Sequence, residues 1–339
     1  MRKTILVSWL ALPALAFAQS SKIDLFSFVM ADAQLIAGAN VDSAKNSPFG
    51  QYVLSQLPMG EKYLSGFITE TGIDPRSDIT EVLAAWNGTP SARGEWLIGA
   101  HGAFGPSIET IEVNALKNDG VITRLPGVDL IETGQPGANA RAANVCLALF
   151  TDGFTDLIGD CTSVHAAVEF GQMSGGAASA VALKAQQLRA QEDIWFASVV
   201  PVSEFASILA GSNSAGSGNL SGVLKSNLLQ AIQQISGGVK FASAATGSGA
   251  QFSAEVMMDS AQNATSLLNV VNFLKGLLSM NTGSIPAGAG IAALLGNLDT
   301  SVSGSILNVG LNIPEATLEQ FFQHFGQVAA NQSPSSGTR

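Results

Sequence analysis

The sequence predicts an α+β fold of two related halves, each a split β-α-β-like unit with an antiparallel sheet packed against helices. Three observations predict it. Hydrophobic residues make up 46% of the chain and charged residues 12%, which is enough apolar material for a large core. Short strand-like runs alternate with helix-like runs. The order strand, helix, hairpin, helix, strand also occurs twice, about 155 to 160 residues apart. Chance recurrence of a common element order is the alternative.

The first half is predicted over residues 23–170. Ser47 followed by Pro48 is typical of a helix start. Residues 79–86 are predicted to form a strand that pairs with 95–103 in a hairpin. A helix capped by Asp78 is the alternative for this segment. In order, the predicted elements are a strand that ends at residue 41, helices over 48–57 and 62–70, the hairpin, a helix over 107–116, strands near residues 121, 130, 145 and 157, and a helix over 163–170.

A connector over residues 171–193, helical at 178–189, leads to the second half, predicted over 194–330. Leu224, Leu228 and Ile232 recur at helical spacing and predict a helix over 220–235. The other predicted elements are a strand over 194–200, a hairpin of 239–245 with 251–258, a helix over 260–278, a strand over 301–313 and a helix over 314–325. Residues 331–339 are polar and predict a disordered tail.

The N-terminus has the pattern of a secretory signal peptide over residues 1–18. Arg2 and Lys3 precede an apolar run, and Ala16-Phe17-Ala18 has small residues at the two positions that a signal peptidase reads. The run is shorter than the ~20 residues of a membrane span, although an uncleaved anchor is the alternative. No later segment is apolar and long enough to span a membrane. We therefore expect a periplasmic or extracellular protein, with no transmembrane segment after cleavage.

The net charge argues against two classes of partner. The chain carries −10, and loss of Arg2 and Lys3 makes the mature form −12. Nucleic-acid binding requires a basic patch, and docking on anionic lipid also requires positive charge. We expect no nucleic acid among the partners, which leaves an unknown protein or an apolar ligand.

The two cysteines, Cys146 and Cys161, predict a disulfide. An even pair is typical of a bridge in an exported protein. The segment between them reads as a strand, a Thr-Asp-Gly turn and a second strand, and pairing about that turn brings its ends together. Two free buried thiols are the alternative.

Few residues point to chemistry. The histidines His101, His165 and His324 are far apart in sequence and have no metal-ligand spacing, and the chain has no G-x-S-x-G turn. We interpret the histidines as structural. Acidic residues cluster in two sets, which we assign to turns and helix caps because neither has calcium-loop spacing. The sets are Asp74, Asp78 and Glu81, and Asp152, Asp156 and Asp160. We predict no catalytic residue, no metal ligand and no cofactor.

Three segments carry a family resemblance. FSFVMADAQLIAGANVDSAKNSPFGQYVLSQL, FITETGIDPRSDITEVLAAW and LIGDCTSVHAAVEF resemble uncharacterised exported proteins of acidobacteria. The resemblance covers most of residues 26–170 and, more faintly, 193–205. It implies an exported α+β body and carries no activity, ligand or site residue.

The sequence thus leads to two functional hypotheses. The first is a non-catalytic envelope protein that binds a partner or an apolar ligand, because catalytic motifs are missing and charge density is low. The second is a hydrolase of cell-envelope material, with carboxylates assembled from distant loops. A broad apolar groove favours the first, and a pocket with converging carboxylates favours the second.

Overall fold

A single open sheet organises the computed structural model of the chain. The structure describes residues 23–56, 61–89, 92, 94–133, 145–171, 179–202, 227–243, 249–280, 294, 297–320 and 322. The predicted signal peptide and tail, and the segment 203–226, lie outside these residues. Within the described residues, the sheet has twelve strands, and all neighbouring strands pair antiparallel. The α+β class is therefore as predicted.

The strands are, in chain order, β1 Leu35–Asn40, β2 Ile79–Trp86, β3 Trp96–Gly102, β4 Val121–Leu125, β5 Val128–Glu132, β6 Val145–Phe150, β7 Thr155–Asp160, β8 Ile194–Ser198, β9 Ile232–Phe241, β10 Ala250–Met258, β11 Leu298–Ser303 and β12 Ile306–Ile313. Across the sheet they lie in the order β11-β12-β10-β9-β8-β1-β2-β3-β7-β6-β5-β4.

The helices are α1 Val41–Asn46, α2 Pro48–Gln56, α3 Glu61–Thr71, α4 Ile108–Lys117, α5 Cys161–Gly171, α6 Ala180–Arg189, α7 Asn227–Gln230 and α8 Ala261–Met280, and residues 315–320 are also helical. Short 3-10 turns occupy Leu25–Phe28 and Gly105–Ser107. Among the described residues, no helix has both the length and the hydropathy of a membrane span.

Local sequence signals account for several helix ends. The Asn40 side chain accepts a hydrogen bond from the Ser43 amide at 2.9 Å and caps α1. Ser179 caps α6 in the same way, through the Ala182 amide at 3.2 Å. Gly72 follows α3 with φ +74°, a conformation that favours glycine and ends a helix.

The predicted helix over 220–235 is wrong in its described part. Only Asn227–Gln230 is helical there, and β9 begins at Ile232. The helical spacing of Leu228 and Ile232 is real, but β9 pairs on both sides, with β8 and β10, and these pairings override the local preference. The predicted strand over 301–313 is instead a hairpin of β11 and β12, because Gly304 takes φ +59° between them.

The strand order also differs from a split β-α-β unit, in which another strand separates the two that flank the helix. Here α1, α2 and α3 join β1 to β2, yet the two strands pair directly and antiparallel. The strands also form one sheet in place of one sheet per half, because β1 pairs with β8 along its other side. This pairing removes two exposed sheet edges.

Buried Asp193 holds the junction between β1 and β8. Its carboxylate accepts hydrogen bonds from Ser43 Oγ at 2.5 Å, Lys240 Nζ at 2.6 Å and the Phe241 amide at 2.8 Å. Its backbone carbonyl accepts from the Asn40 amide at 2.7 Å. One residue therefore connects the end of β1, the start of α1 and the end of β9.

One side of the sheet, which we call the packed face, carries the largest core cluster. Ile36, Leu83, Leu97 and Leu157 are almost fully buried there, together with Trp195. The 3-10 turn at Leu25–Phe28 and helices α5 and α6 supply the residues packed against them, including Phe26, Val164 and Ala185.

The opposite side, which we call the open face, is covered by helices toward both edges of the sheet. Over β5 and β6, Ile111 of α4 packs with Ile131 and Leu149. Toward the other edge, Ala264 and Leu267 of α8 pack with Val256 of β10. The strands β3, β2, β1 and β8 lie between these two covered regions.

Candidate functional site: an apolar sheet face

The open face of the four central strands and of the adjoining β7 carries a row of apolar residues. Strand registers place one row of side chains across it, in which each neighbour pair lies directly opposite: Ile158, Ile98, Ala84, Ala37 and Phe196. The adjoining residues on this face are Leu35, Ala39, Val82, Trp86, Trp96 and Ile194. We call these eleven residues the apolar face.

These side chains are only partly buried. Ile98 and Ile158 are each 37% exposed, and Ile194 is 43% exposed. The others of the set are intermediate in exposure. By contrast, their neighbours on the packed face, such as Leu97 and Leu157, are 1% exposed. The central strands are therefore buried on one side and half-open on the other.

This distribution is unusual for an antiparallel sheet. A sheet with one solvated face normally alternates apolar and polar residues, so that the solvated face is polar. Here β1, β2, β3 and β8 place apolar residues on both faces. Continuous apolar runs are typical of strands covered on both sides, so the apolar face has the composition of a covered surface.

Two tryptophans mark one end of this face. Trp86 and Trp96 lie directly opposite each other in β2 and β3, and Leu35 lies opposite Trp86. Tryptophan buries a large apolar area and is enriched at binding surfaces. The third tryptophan of the described residues, Trp195, is 2% exposed on the packed face.

A buried carboxyl group lies beside the apolar face. Asp156 of β7 is opposite Ala100 and Leu149, and its Oδ1 has no hydrogen-bond partner among the described residues. Burial raises the pKa of Asp156 to about 8, with a smaller contribution from the negative charge of Asp152. At neutral pH the group is therefore mostly protonated and uncharged, which keeps this part of the face apolar.

A second, polar arrangement lies at the other ends of β2 and β3, around a cavity of about 530 Å³. Arg189 of α6 donates from Nε to Glu81 at 2.6 Å and from a terminal nitrogen at 2.9 Å. The same guanidinium donates to Asp24 at 2.7 Å. Asn40, Asp42 and Thr80 complete the lining.

His101 belongs to this polar cluster. Its Nδ1 lies 3.1 Å from Glu81, and its Nε2 lies 2.7 Å from the Ile23 carbonyl. Both ring nitrogens thus face oxygen acceptors, and neither has a free lone pair directed into the cavity. The geometry agrees with the interpretation of His101 as a structural histidine.

The Glu81 carboxylate is likewise held by its hydrogen-bond partners, His101 and Arg189. Burial alone would raise the pKa of Glu81, but hydrogen bonds from His101 and Arg189, with their charges, outweigh burial and lower the pKa to about 2. Such a weak base is poorly suited to accept a proton near neutral pH. The cluster therefore acts as a cross-link between α6, β2, β3 and the N-terminal segment.

The remaining sequence-selected residues have local roles or lie elsewhere. Asp78 accepts from the Asp74 amide at 2.7 Å. Asp152 accepts from the amides of Phe154 and Thr155, and Asp160 accepts from the Trp96 amide at 2.8 Å. The Asp78 and Asp152 contacts are the local turn contacts that the sequence predicts. The prediction is wrong for Asp160, which joins β7 to the start of β3 across 64 positions, and for Glu81 and Asp156, which have the roles described above. His165 lies on α5, and His324 lies outside the described residues.

Cys146 and Cys161 form the pair that the sequence predicts, at disulfide distance and with Cα atoms 4.7 Å apart. Cys146 lies in β6 and is fully buried, and Cys161 begins α5 just after β7. The hairpin of β6 and β7 brings the two residues together, as expected from the turn between them.

Sequence reasoning missed both clusters, for different reasons. The ion-pair cluster joins residues more than 100 positions apart, with no shared motif. The apolar face did have a signal, because β2 and β3 are apolar at most positions.

Comparisons with protein-family models, with curated proteins and with solved structures found no match to this chain.

Proposed function

We propose that this is an exported, non-catalytic envelope protein that binds an apolar ligand or an apolar segment of a partner on the apolar face. The observation that carries the proposal is the partly exposed row of Ile158, Ile98, Ala84, Ala37 and Phe196. Fully burying a large apolar side chain contributes about 1.5–3 kcal/mol. Covering the exposed parts of several such side chains therefore supplies a substantial driving force for binding.

The shape of the surroundings supports this proposal. The apolar face lies between the region covered by α4 and the region covered by α8, so helices border it toward both sheet edges. An apolar surface between two helix-covered regions suits an extended apolar chain or a helix with one apolar side. The mature charge of −12 directs the choice toward uncharged or cationic ligands, and away from nucleic acid.

Export is part of the same proposal. The charged start, apolar run and Ala16-Phe17-Ala18 site support cleavage after Ala18, and the cysteine pair suits an oxidising compartment. Intact-mass measurement of the secreted protein tests it. We expect a mature chain beginning at Gln19, whereas a chain that still begins at Met1 would contradict export by cleavage.

We also propose that the two halves are related. Outward from the central pair, β1-β2-β3 corresponds to β8-β9-β10. In each half a helix follows the third strand, and a later hairpin pairs with that strand, through β7 on β3 and β12 on β10; the first half has two additional strands, β4 and β5, before its hairpin. On this view the apolar face spans the junction of two copies.

The second candidate is a hydrolase of envelope material that uses the polar cavity. The observation in its favour is the convergence there of Asp24, Asp42 and Glu81 beside His101. We favour binding because Glu81 and both nitrogens of His101 are already engaged. Under the hydrolase hypothesis, the wild type degrades a cell-wall extract and the Glu81→Gln variant does not. Under the binding hypothesis, the wild type gives no turnover.

A fluorescent apolar dye without charge, Nile red, tests the binding proposal. Ile98→Lys places a charge within the apolar face, and we expect it to weaken dye binding by about tenfold or more. Leu183→Lys is the matched control, because Leu183 is an exposed leucine, at 58%, on α6 at the packed face. Equal affinities of the two variants would contradict the proposal.

A further inference from the structure

The corner between β5, β6 and α5 brings together four side chains that can ligate a metal. Glu132 and Cys146 lie directly opposite each other in β5 and β6. His165 Nε2 lies 3.3 Å from Glu132 Oε1, and the donor atoms of Glu132, Cys146 and His165 all lie within 4.8 Å of one another. Cys161, bonded to Cys146, is the fourth.

Helix α5 positions two of these residues together. Cys161 and His165 are four residues apart in α5, so their side chains lie on the same side of the helix. Helix α5 packs on the packed face through Val164, Ala167 and Val168. The helix therefore holds the imidazole and one sulfur against β5 and β6, and the corner is built by rigid elements.

The donor set matches zinc in chemistry and in spacing. Thiolate, imidazole and carboxylate are the usual zinc ligands, at about 2.3 Å for sulfur and about 2.0–2.2 Å for nitrogen and oxygen. Two donors about 2 Å from a tetrahedral ion lie roughly 3.3 Å from each other. The separation of His165 and Glu132 is 3.3 Å. Both side chains are about half exposed, at 44% and 48%, which leaves a path for an ion from solvent.

We propose that this corner has two exclusive states: the Cys146–Cys161 disulfide when oxidised, and a zinc site of Cys146, Cys161, His165 and Glu132 when reduced. A disulfide sulfur is not a thiolate, so the bridge and the metal site exclude each other. A dithiol reductant transfers two electrons and two protons to the disulfide, giving two thiols and its own disulfide. Zinc then displaces the two thiol protons and forms two zinc–sulfur bonds.

The consequence is a corner that remains cross-linked in either redox state. The bridge ties β6 to the start of α5, and the zinc would tie the same elements and also β5. Structural zinc stabilises small elements by holding their ligands together. Reduction in the presence of zinc would therefore exchange one cross-link for another without releasing α5.

Cobalt(II) is the probe, because thiolate ligation and tetrahedral geometry give it distinctive absorption bands. The mature protein is reduced with a phosphine, two thiols per chain are verified by thiol titration, and Co²⁺ is added without oxygen. We expect one equivalent to bind with thiolate charge-transfer and tetrahedral visible bands, and one equivalent of Zn²⁺ to remove them. The oxidised protein should show neither band.

His165→Ala provides the decisive variant. We expect it to weaken Co²⁺ binding by about tenfold or more, while Glu109→Ala, an exposed carboxylate on α4, leaves binding unchanged. If the reduced protein unfolds, circular dichroism with and without Zn²⁺ replaces the Co²⁺ measurement. One equivalent of Zn²⁺ must then restore the folded spectrum of the reduced wild type and must not restore that of reduced His165→Ala. Absent thiolate bands, or equal binding by His165→Ala and wild type, would overturn the proposal.

Discussion

Ile98 in β3 lies directly opposite Ile158 in β7, and each of these isoleucines is 37% exposed. Their immediate neighbours Leu97 and Leu157 point to the other side of the sheet and are 1% exposed. The same two strands therefore present a closed core on one face and an open apolar surface on the other. Substitutions on the two faces can therefore be compared to measure how much each face contributes to the stability of the protein.

Alanine substitutions on the two faces should differ in cost. Leu97→Ala removes a fully buried side chain, and such changes destabilise by about 2–5 kcal/mol. Ile98→Ala removes a half-open side chain, and we expect a loss of about 1 kcal/mol. Denaturant unfolding of the two variants measures both values. Equal losses would mean that the open face is as tightly covered as the packed face.

The Asp156 carboxyl group should make stability decline with rising pH. Its folded pKa of about 8 is above its ordinary value of 3.8. Between those values the unfolded chain loses this proton and the folded chain keeps it, so rising pH favours the unfolded chain. Asp156→Asn removes this dependence. We expect the free energy of unfolding of Asp156→Asn, measured from pH 4 to pH 8, to rise relative to that of the wild type as pH increases. A difference that stays constant with pH would contradict the raised pKa of Asp156.

Glu81 should act in the opposite direction and at lower pH. Its folded pKa of about 2 is below its ordinary value of 4.5. The stability that it contributes is complete above about pH 4.5 and is lost as pH falls toward 2. We expect Glu81→Gln to cost about 3 kcal/mol near neutral pH, because it leaves Arg189 and His101 without their carboxylate. The difference from the wild type should shrink as pH falls below 4.5, and a difference that is undiminished at pH 2 would contradict this.

Much of the first half follows from the sequence, and physical reasons explain the exceptions. Pro48, Gly72 and the β6–β7 turn are local signals, and the elements around them form as predicted. The helix predicted after Leu228 is wrong, because pairing with β8 and β10 makes this segment a strand. A single sequence does not reveal which strands will be neighbours. The Arg189–Glu81 contact was unpredictable for the same reason.

Loss of the Cys146–Cys161 bridge should destabilise the protein by about 3 kcal/mol, the value expected for a closed loop of this size. The pair spans 15 positions in the sequence. The double variant Cys146→Ala/Cys161→Ala, compared with the oxidised wild type by denaturant unfolding without added metal, measures it. A loss below about 0.5 kcal/mol would show that the hairpin of β6 and β7 needs no bridge.

The most direct test of the central claim uses the tryptophans of the apolar face. Trp195 is replaced by Phe, so that Trp86 and Trp96 report alone from the mature chain, and a brominated long-chain alcohol, which is uncharged, is titrated as a contact quencher. The account predicts saturable quenching that Ile98→Lys weakens by about tenfold or more and Leu183→Lys leaves unchanged. Absence of saturable quenching, or equal quenching in both variants, would contradict binding of an apolar chain on this face.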